Sequence, residues 1–105
     1  MVSHTTDQNF EHDVLRARAP VFVDFSERGA FSSRISGPII DRLSSVARGR
    51  AKVMKMDPEA NPDTVQKFGV REMPTVLLFI NGELVRKLPG IRPTGVYLNI
   101  LDRLN

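Results

Sequence analysis

The chain has no cysteine and no tryptophan among its 105 residues, and the missing cysteine excludes the most chemistry. Thiol–disulfide exchange begins when a thiolate attacks a disulfide, so a chain without cysteine cannot carry it out. Long apolar runs are also missing. The longest, residues 76–80, is far shorter than the roughly 20 residues that cross a bilayer as a helix. The sequence therefore predicts no membrane-spanning helix and no dithiol chemistry of its own.

What is present is typical of a globular protein, and we predict one domain over residues 1–105. Hydrophobic residues make up 41% of the chain and charged residues 26%. The formal net charge is only +3, and the basic group Arg48, Arg50 and Lys52 is interpreted as a solvated turn. A nucleic-acid surface would be larger and would carry aromatic stacking partners. We therefore expect neither nucleic acid nor a membrane as a partner.

The first eleven residues lack the basic start and the apolar middle of a signal peptide. We therefore expect a cytoplasmic location. The absence of cysteine does not bear on the compartment, because a chain without thiols is compatible with reducing and oxidising environments alike.

Helix and strand signals alternate along the chain and predict an α/β fold. Apolar spacing and turn residues predict helices over residues 5–16, 36–46, 61–68 and 94–104, and strands over residues 21–25, 51–56, 75–80 and 83–88. Strands separated by helices pair in parallel, whereas Asn81-Gly82 predicts a final antiparallel hairpin. These patterns together predict a mixed central sheet with helices on both faces.

Three of the helix starts carry local signals. Thr5-x-x-Gln8 fits a capping box, and Asn61-Pro62 fits a cap followed by proline in the first turn. The second helix has alternative starts. It begins at Ser36 with Pro38 in its first turn, or it begins earlier, at Ser32 or Ser33, with Pro38 as an internal kink.

Several short motifs, in fixed order and spacing, resemble the thioredoxin family over nearly the whole chain. Val23-Asp24-Phe25 is similar to the family's strand with a buried aspartate, and Pro38 stands where the family has its helix-kinking proline. The segment Phe-Gly-Val-Arg-Glu-Met-Pro-Thr at residues 68–75 resembles the signature Tyr-Gly-Val-Arg-x-Ile-Pro-Thr. Asn81-Gly82 and Gly90 follow at the family's spacing. The resemblance implies a thioredoxin fold.

The active-site loop is where the chain departs from the family's pattern. The resemblance puts Ala30 and Ser33 at the two dithiol positions, and Phe31 and Ser32 at the intervening glycine and proline. The tryptophan before the first cysteine is replaced by Gly29. Two laboratory substitutions of cysteine would not explain Phe31 or Ser32, so we interpret the loop as a natural degenerate site. We expect no catalytic residue, no cofactor and no oxidoreductase activity.

The resemblance leaves the family's peptide groove in place. Met73-Pro74 matches its cis-proline position, which turns the backbone so that residue 73 offers main-chain groups to an extended peptide. The residues that match the groove are Phe31, Met73, Pro74, Gly90 and Ile91, with Ala30 at its base. The function predicted from this resemblance is non-redox binding of a protein or extended peptide, as a scaffold or chaperone-like module.

The resemblance also pairs Asp24 with Lys55 as a buried acid beside a lysine. In the family this aspartate relays a proton for the second cysteine, and here there is no cysteine to serve. Burial raises the pKa of such an acid, whereas the lysine lowers it. We interpret the two residues as a structural pair. We predict that Asp24→Asn leaves stability unchanged or increases it, because the change removes a poorly solvated acid.

Two alternative functions stay open at this point. Ser32 or Ser33 at a helix N-terminus is similar to the serine that holds the glutathione thiolate in glutathione transferases, although a plain helix cap is the more ordinary role. The other alternative is an accessory redox role in which a partner supplies the cysteines. Serine nucleophilic catalysis would need a base. The only histidines, His4 and His12, lie in a segment that the resemblance puts away from the loop. Their spacing fits no metal site.

Overall fold

Five strands form one mixed sheet in the computed structural model, which describes residues 2–104. The first and last residues of the predicted domain therefore lie outside the described residues. The strands are β1 (Ser3–His4), β2 (Val21–Phe25), β3 (Lys52–Met56), β4 (Thr75–Ile80) and β5 (Glu83–Pro89). Their order across the sheet is β1-β3-β2-β4-β5. β3 is parallel to β1 and β2, whereas β4 is antiparallel to β2 and β5. The predicted mixed α/β sheet is confirmed.

Helices cover both faces of this sheet. They are a π-helix (Glu11–Leu15), α1 (Phe31–Val46), α2 (Pro62–Lys67) and α3 (Thr94–Arg103). All five residues of β2 are buried because the strand is central and its side chains alternate between the two faces. Phe22 packs into the core that also contains Tyr97 of α3, and Phe25 packs into the core that also contains Val14 of the π-helix.

The predicted N-terminal helix over residues 5–16 is wrong in its first half. The main-chain N–H of Thr5 donates to the carbonyl oxygen of Lys55 at 2.9 Å, which extends the pairing of β1 with β3. The Thr5 hydroxyl donates to Asp13 Oδ2 at 2.9 Å, so it does not cap a helix at this position. Helical structure begins only near Phe10, and its last turn is a π-helix in which the N–H of Arg16 reaches the carbonyl of Glu11.

The cap of α2 comes from the N-terminal segment rather than from Asn61. The Asp7 carboxylate accepts hydrogen bonds from the N–H groups of Asp63 and Thr64 at 3.1 and 3.0 Å, and from the Thr64 hydroxyl at 2.6 Å. Asn61 makes no cap; its side chain accepts from the N–H of Asp7 and donates to the carbonyl of Asp57. Although burial raises the pKa of the Asp7 carboxyl, the Thr64 hydroxyl and the two N–H groups lower it by more.

The hairpin between β4 and β5 has the two-residue turn that its sequence predicts. Both turn residues have positive φ, 52° at Asn81 and 81° at Gly82, as a type I′ turn requires. Gly82 has a second constraint. A Cβ at this position would lie 2.8 Å from the carbonyl oxygen of Leu15, so the turn packs directly against the end of the π-helix.

We expect Gly82→Ala to destabilise the protein by about 1–2 kcal/mol more than Gly49→Ala. Gly49 is a matched control because its φ is also positive, at 85°, while a Cβ there would meet nothing within 4 Å. Both changes put alanine in a left-handed conformation, and only the first also forces backbone apart. Urea unfolding of the two variants measures the difference. Equal losses would mean that Leu15 moves aside without cost.

Candidate functional site

Four loops meet at one edge of the sheet. In the strand register Phe25 lies between Met56 and Thr75, and Thr75 pairs with Pro89. The segments that leave β3, β2 and β5, and the segment that enters β4, therefore lie side by side. This edge is also where α1 begins. The structure thus brings the residues matched to the peptide groove, Ala30, Phe31, Met73, Pro74, Gly90 and Ile91, to a single edge.

The two dithiol positions lie at the first turn of α1. Ala30 is the N-cap, with extended backbone at φ −70° and ψ 149°, and α1 begins at Phe31 with Pro38 inside it. The earlier of the two predicted starts is therefore the better one. The N–H of Ser33 donates to the carbonyl of Ala30 at 3.1 Å, which puts the two side chains one turn apart. Neither position carries sulfur.

The expected role of Ser32 or Ser33 as a helix cap is wrong. No side chain caps α1, because the residue at the N-cap is Ala30. The hydroxyl of Ser33 instead donates to the carbonyl oxygen of Glu27 and ties the helix to the loop that precedes it. The hydroxyl proton of Ser33 is therefore already used in a hydrogen bond to the chain's own backbone.

Met73 presents an unpaired stretch of main chain at this edge. The Met73–Pro74 peptide bond is cis, and Pro74 is buried, with its carbonyl accepting from the N–H of Gly90 at 2.8 Å. Within residues 2–104, neither the N–H nor the carbonyl of Met73 has a hydrogen-bond partner. The Met73 side chain is half-buried against the core on the π-helix face. Residue 73, in the bend that precedes β4, therefore has both of its backbone groups available to a bound segment.

Large apolar side chains are exposed around this edge. Phe31 is 75% exposed and Ile91 42%, although each is of a type that is usually buried. Ile35 stands one turn after Phe31 on α1 and is also exposed. Exposed apolar side chains gathered at one edge are typical of a surface that binds another molecule.

Asp24 is the one fully buried acid of the described residues, with 1% of its surface exposed. Its Oδ2 atom accepts a hydrogen bond from the Ser26 hydroxyl at 3.2 Å, and its Oδ1 atom has no partner among residues 2–104. Burial raises the pKa of Asp24 from the ordinary value of 3.8 to about 6, against smaller lowering effects of Ser26 and of the Lys55 charge. The carboxyl is thus poorly solvated, as its place in an apolar strand predicts.

Lys55 is a neighbour of Asp24 but not its ion-pair partner. The two residues face each other in the parallel register of β2 and β3. The Lys55 ammonium lies 3.7 Å from Asp41 Oδ1 on α1, and it comes within 4 Å of no other described carboxylate. The solvent-exposed Asp41 draws the flexible lysine outward, because there the ammonium keeps part of its hydration. The predicted pair is therefore a long-range charge interaction.

A cavity of about 180 Å³ lies beside the start of α1, towards β3. It has ionisable groups of both signs in its wall and is lined by His4, Ser26, Glu27, Arg28, Ser33, Gly37, Lys55, Met56 and Asp57. The expectation that His4 lies away from the active-site loop is wrong, because the pairing of β1 with β3 sets His4 opposite Lys55. His12 does lie elsewhere, beside Asp13.

Two of these contacts were missed by the sequence reasoning, although one left a signal. Ser26 follows Asp24 by two residues along an extended segment, so both side chains point to the same face, and this spacing alone predicts their hydrogen bond. The sequence contains no such signal for the position of His4. A strand of two residues has too few side chains to show a period, and it exists only through its pairing with β3.

Within residues 2–104, no three histidine or acidic side chains come together as metal ligands. Among the same residues, none of the helices is both long enough and apolar enough to cross a bilayer.

Comparison with known proteins gives one consistent family. The thioredoxin family model matches residues 1–103. The thioredoxin of Rickettsia prowazekii is 40% identical over 105 residues, which is all of this chain and 97% of the relative. That of Rickettsia bellii is 42% identical over 83 residues, 79% of each chain. That of Synechocystis is 32% identical over 98 residues, 93% of this chain and 92% of the relative.

Proposed function

Because the chain belongs to the thioredoxin family and contains no cysteine, we propose that it is a redox-inactive member that binds an extended segment of another protein. The proposed binding surface, the groove, consists of Phe31, Met73, Pro74, Gly90 and Ile91, with Ala30 at its base. The relatives are named thioredoxins, and what they share with this chain is the fold. What differs is that dithiol exchange here lacks its nucleophile.

The unpaired main chain of Met73 is the observation that carries this proposal. An extended peptide that runs past residue 73 gains two backbone hydrogen bonds that the chain itself leaves unmade. Such bonds recognise the backbone of a partner rather than its sequence, so they provide affinity with little selectivity. Selectivity then has to come from the side chains beside residue 73.

Phe31 and Ile91 are the side chains that would supply the selectivity of binding. Both are exposed in the free protein, and their burial under a partner removes apolar surface from water. The rest of the groove is fixed in position. Pro74 is buried, and its carbonyl is held by Gly90 at 2.8 Å. A partner segment with a large apolar residue opposite Phe31 therefore fits the groove best.

The two alternatives have less support. Binding of glutathione or another anion at the start of α1 would use a serine hydroxyl, and that of Ser33 already donates to Glu27. A redox role with cysteines supplied by a partner uses the same groove and differs only in what the bound segment carries. A cytoplasmic location stays a prediction from the composition of the first residues.

The proposal predicts that linear peptides selected against the protein bind through Phe31. We would select them from a displayed random library and measure their affinity for the parent and for Phe31→Ala. A central aromatic anchor contributes more than about 1 kcal/mol to such interfaces, so we expect the dissociation constant to rise about tenfold or more. Amide NMR shifts on binding should cluster at residues 29–35, 72–75 and 90–92.

Ser45→Ala is the control, because Ser45 is also an exposed residue of α1 but lies at its far end. It should leave the affinity of the selected peptides unchanged. Equal affinity for the parent and for Phe31→Ala, or shifts elsewhere, would contradict the proposed groove. A parallel titration with millimolar glutathione separates the first alternative, which predicts shifts confined to Ser32, Ser33 and Met73.

A further inference from the structure

The ends of α1 and α3 meet at a corner of the molecule away from the groove. Thr94, at the start of α3, donates its hydroxyl to Ile39 in the middle of α1. Further along, Ala47 and Leu101 belong to the same core, and the Arg50 guanidinium forms an ion pair with Asp102. The C-termini of the two helices are therefore neighbours. We refer to the residues Arg42, Val46, Arg48, Arg50, Arg103 and Leu104 as the arginine corner.

The arginine corner concentrates the charge of the protein. Its four arginines, together with Asp102, which forms an ion pair with Arg50, sum to a formal charge of +3, and the neighbouring Asp41 is paired with Lys55. Within residues 2–104, no carboxylate comes within 4 Å of the guanidinium groups of Arg42 or Arg48. Both side chains are exposed. The sequence interpretation of Arg48, Arg50 and Lys52 as a solvated turn omitted Arg42, which precedes them on α1, and Arg103, whose helix the ion pair of Arg50 with Asp102 brings to this corner.

Stabilisation of the helix ends explains only part of this charge. Arg103 lies in the last turn of α3, where a cation interacts favourably with the helix dipole. The last turn of α1 contains no basic residue, since Arg42 lies a full turn before Val46 and Arg48 lies beyond the end of the helix. Arg48 directly follows the C-cap Ala47, where a cation still neighbours the last carbonyls of α1, so only the position of Arg42 lacks such a structural reason.

Exposed apolar side chains lie among these arginines. Val46 is 49% exposed and follows Arg42 by four residues, so the two side chains share one face of α1. Leu104 is exposed at the end of α3. Arginine is enriched at protein–protein interfaces, and exposed apolar side chains beside it offer a partner apolar surface to cover.

We infer that the arginine corner is a second docking surface, which binds an acidic segment of a partner protein with apolar residues between its carboxylates. The carboxylates would pair with Arg42 and Arg48, and the apolar residues would cover Val46 and Leu104. Nucleic acid fits less well, because single-strand sites use aromatic stacking and the corner has no aromatic side chain. A membrane surface fits less well, because two exposed apolar side chains give little to insert.

A labelled peptide of glutamate and leucine tests this inference, with a second peptide of equal charge in which serine replaces leucine. In anisotropy titrations at low ionic strength, we expect Arg42→Glu/Arg48→Glu to weaken binding of the first peptide about tenfold or more. The matched control is Lys67→Glu/Arg86→Glu, which makes the same change in net charge at exposed positions on α2 and β5. It should weaken binding less than about twofold.

Recognition of the apolar residues has its own measurement. The serine peptide should bind the parent more weakly than the leucine peptide, and Val46→Ala should reduce that difference without altering the response to salt. Equal weakening by the two charge-reversal variants would overturn the inference, since net charge alone would then explain binding. Tighter binding of a single-stranded DNA or of phosphatidylserine vesicles than of the leucine peptide would overturn it as well. Neither result depends on the groove.

Discussion

Placing cysteine at both positions 30 and 33 is expected to give this chain disulfide-reducing turnover, whereas the parent is expected to show none. With insulin and dithiothreitol as substrates, the parent should match the rate without protein, because it contains no thiol. The Ala30→Cys/Ser33→Cys variant should exceed that rate about tenfold or more.

The expected gain follows from the position of the two residues on α1. Ala30 caps the helix, so a thiol there faces the free N–H groups of the first turn, which stabilise its thiolate. The hydrogen bond from the Ser33 N–H to the Ala30 carbonyl sets the second thiol one turn away, where it can resolve a mixed disulfide. Ser33→Cys replaces a hydroxyl that donates to the carbonyl oxygen of Glu27, so the loop before α1 loses one hydrogen bond to the helix.

The matched control is Arg42→Cys/Ser45→Cys, which has the same spacing of three residues within α1 and lacks the helix N-terminus. It should show only the slow exchange of ordinary thiols. If the Ala30→Cys/Ser33→Cys variant were no faster than this control, the loss of function would extend beyond sulfur to Phe31 and Ser32. Adding Phe31→Gly and Ser32→Pro to that variant would then be required for activity.

The parts of the fold that the sequence predicted are those stabilised locally. The hairpin follows from Asn81-Gly82, whose conformation is set by two residues. α1 follows from the helical spacing of Ile35, Ile39, Leu43 and Val46, although of these four only Leu43 is fully buried, and Ile35 and Val46 are exposed. The strand β1 could not be predicted, because two residues become a strand only when β3 is already beside them.

The cap of α2 shows the same limit at the level of one side chain. Asn61 has the residue type and position of a cap, but Asp7 makes the hydrogen bonds from 56 residues away. A carboxylate provides a stronger acceptor than an amide oxygen at a helix N-terminus. A sequence pattern assigns each position from its neighbours in the chain. It therefore cannot predict a hydrogen-bond acceptor, such as the Asp7 carboxylate, that lies close only in the folded structure.

The residues of the candidate site also divide into those whose positions the sequence predicted and those whose contacts it did not predict. The position of Ala30, Phe31 and Pro74 followed from family motifs that depend on the backbone, and the structure brings them to one edge. The partner of Lys55 did not follow, because Asp41 lies on α1 and its proximity depends on how that helix packs on the sheet. Motifs predict the path of the backbone, whereas ion pairs depend on the conformation and hydration of flexible side chains, which motifs do not describe.

Asp24→Asn is expected to stabilise the protein at alkaline pH relative to acid pH by about 2–3 kcal/mol. The folded-state pKa of Asp24 is raised from 3.8 to about 6. Between these values the unfolded chain binds fewer protons at this residue than the folded chain. The parent therefore loses stability from this group as the pH rises through 3.8 to 6, and the variant does not.

Urea unfolding at pH 4 and pH 8 measures the change for both proteins. Any cost of burying the amide group cancels when the variant's effect at pH 4 is subtracted from its effect at pH 8. Asp7 and Asp13 have lowered pKa values and act in the opposite direction, but they are present in both proteins and cancel too. Asp24→Asn should thus be clearly stabilising at pH 8 and close to neutral or destabilising at pH 4.

The matched control is Asp41→Asn, an exposed acid that also lies beside Lys55. Exposed pairs of this kind contribute about 0–1 kcal/mol, so its effect should vary little between the two pH values. If Asp24→Asn showed no larger pH dependence than Asp41→Asn, the carboxyl of Asp24 would have to be solvated in the folded state. Water in the neighbouring cavity that Ser26 lines would be the source of that solvation, and the raised pKa would be wrong.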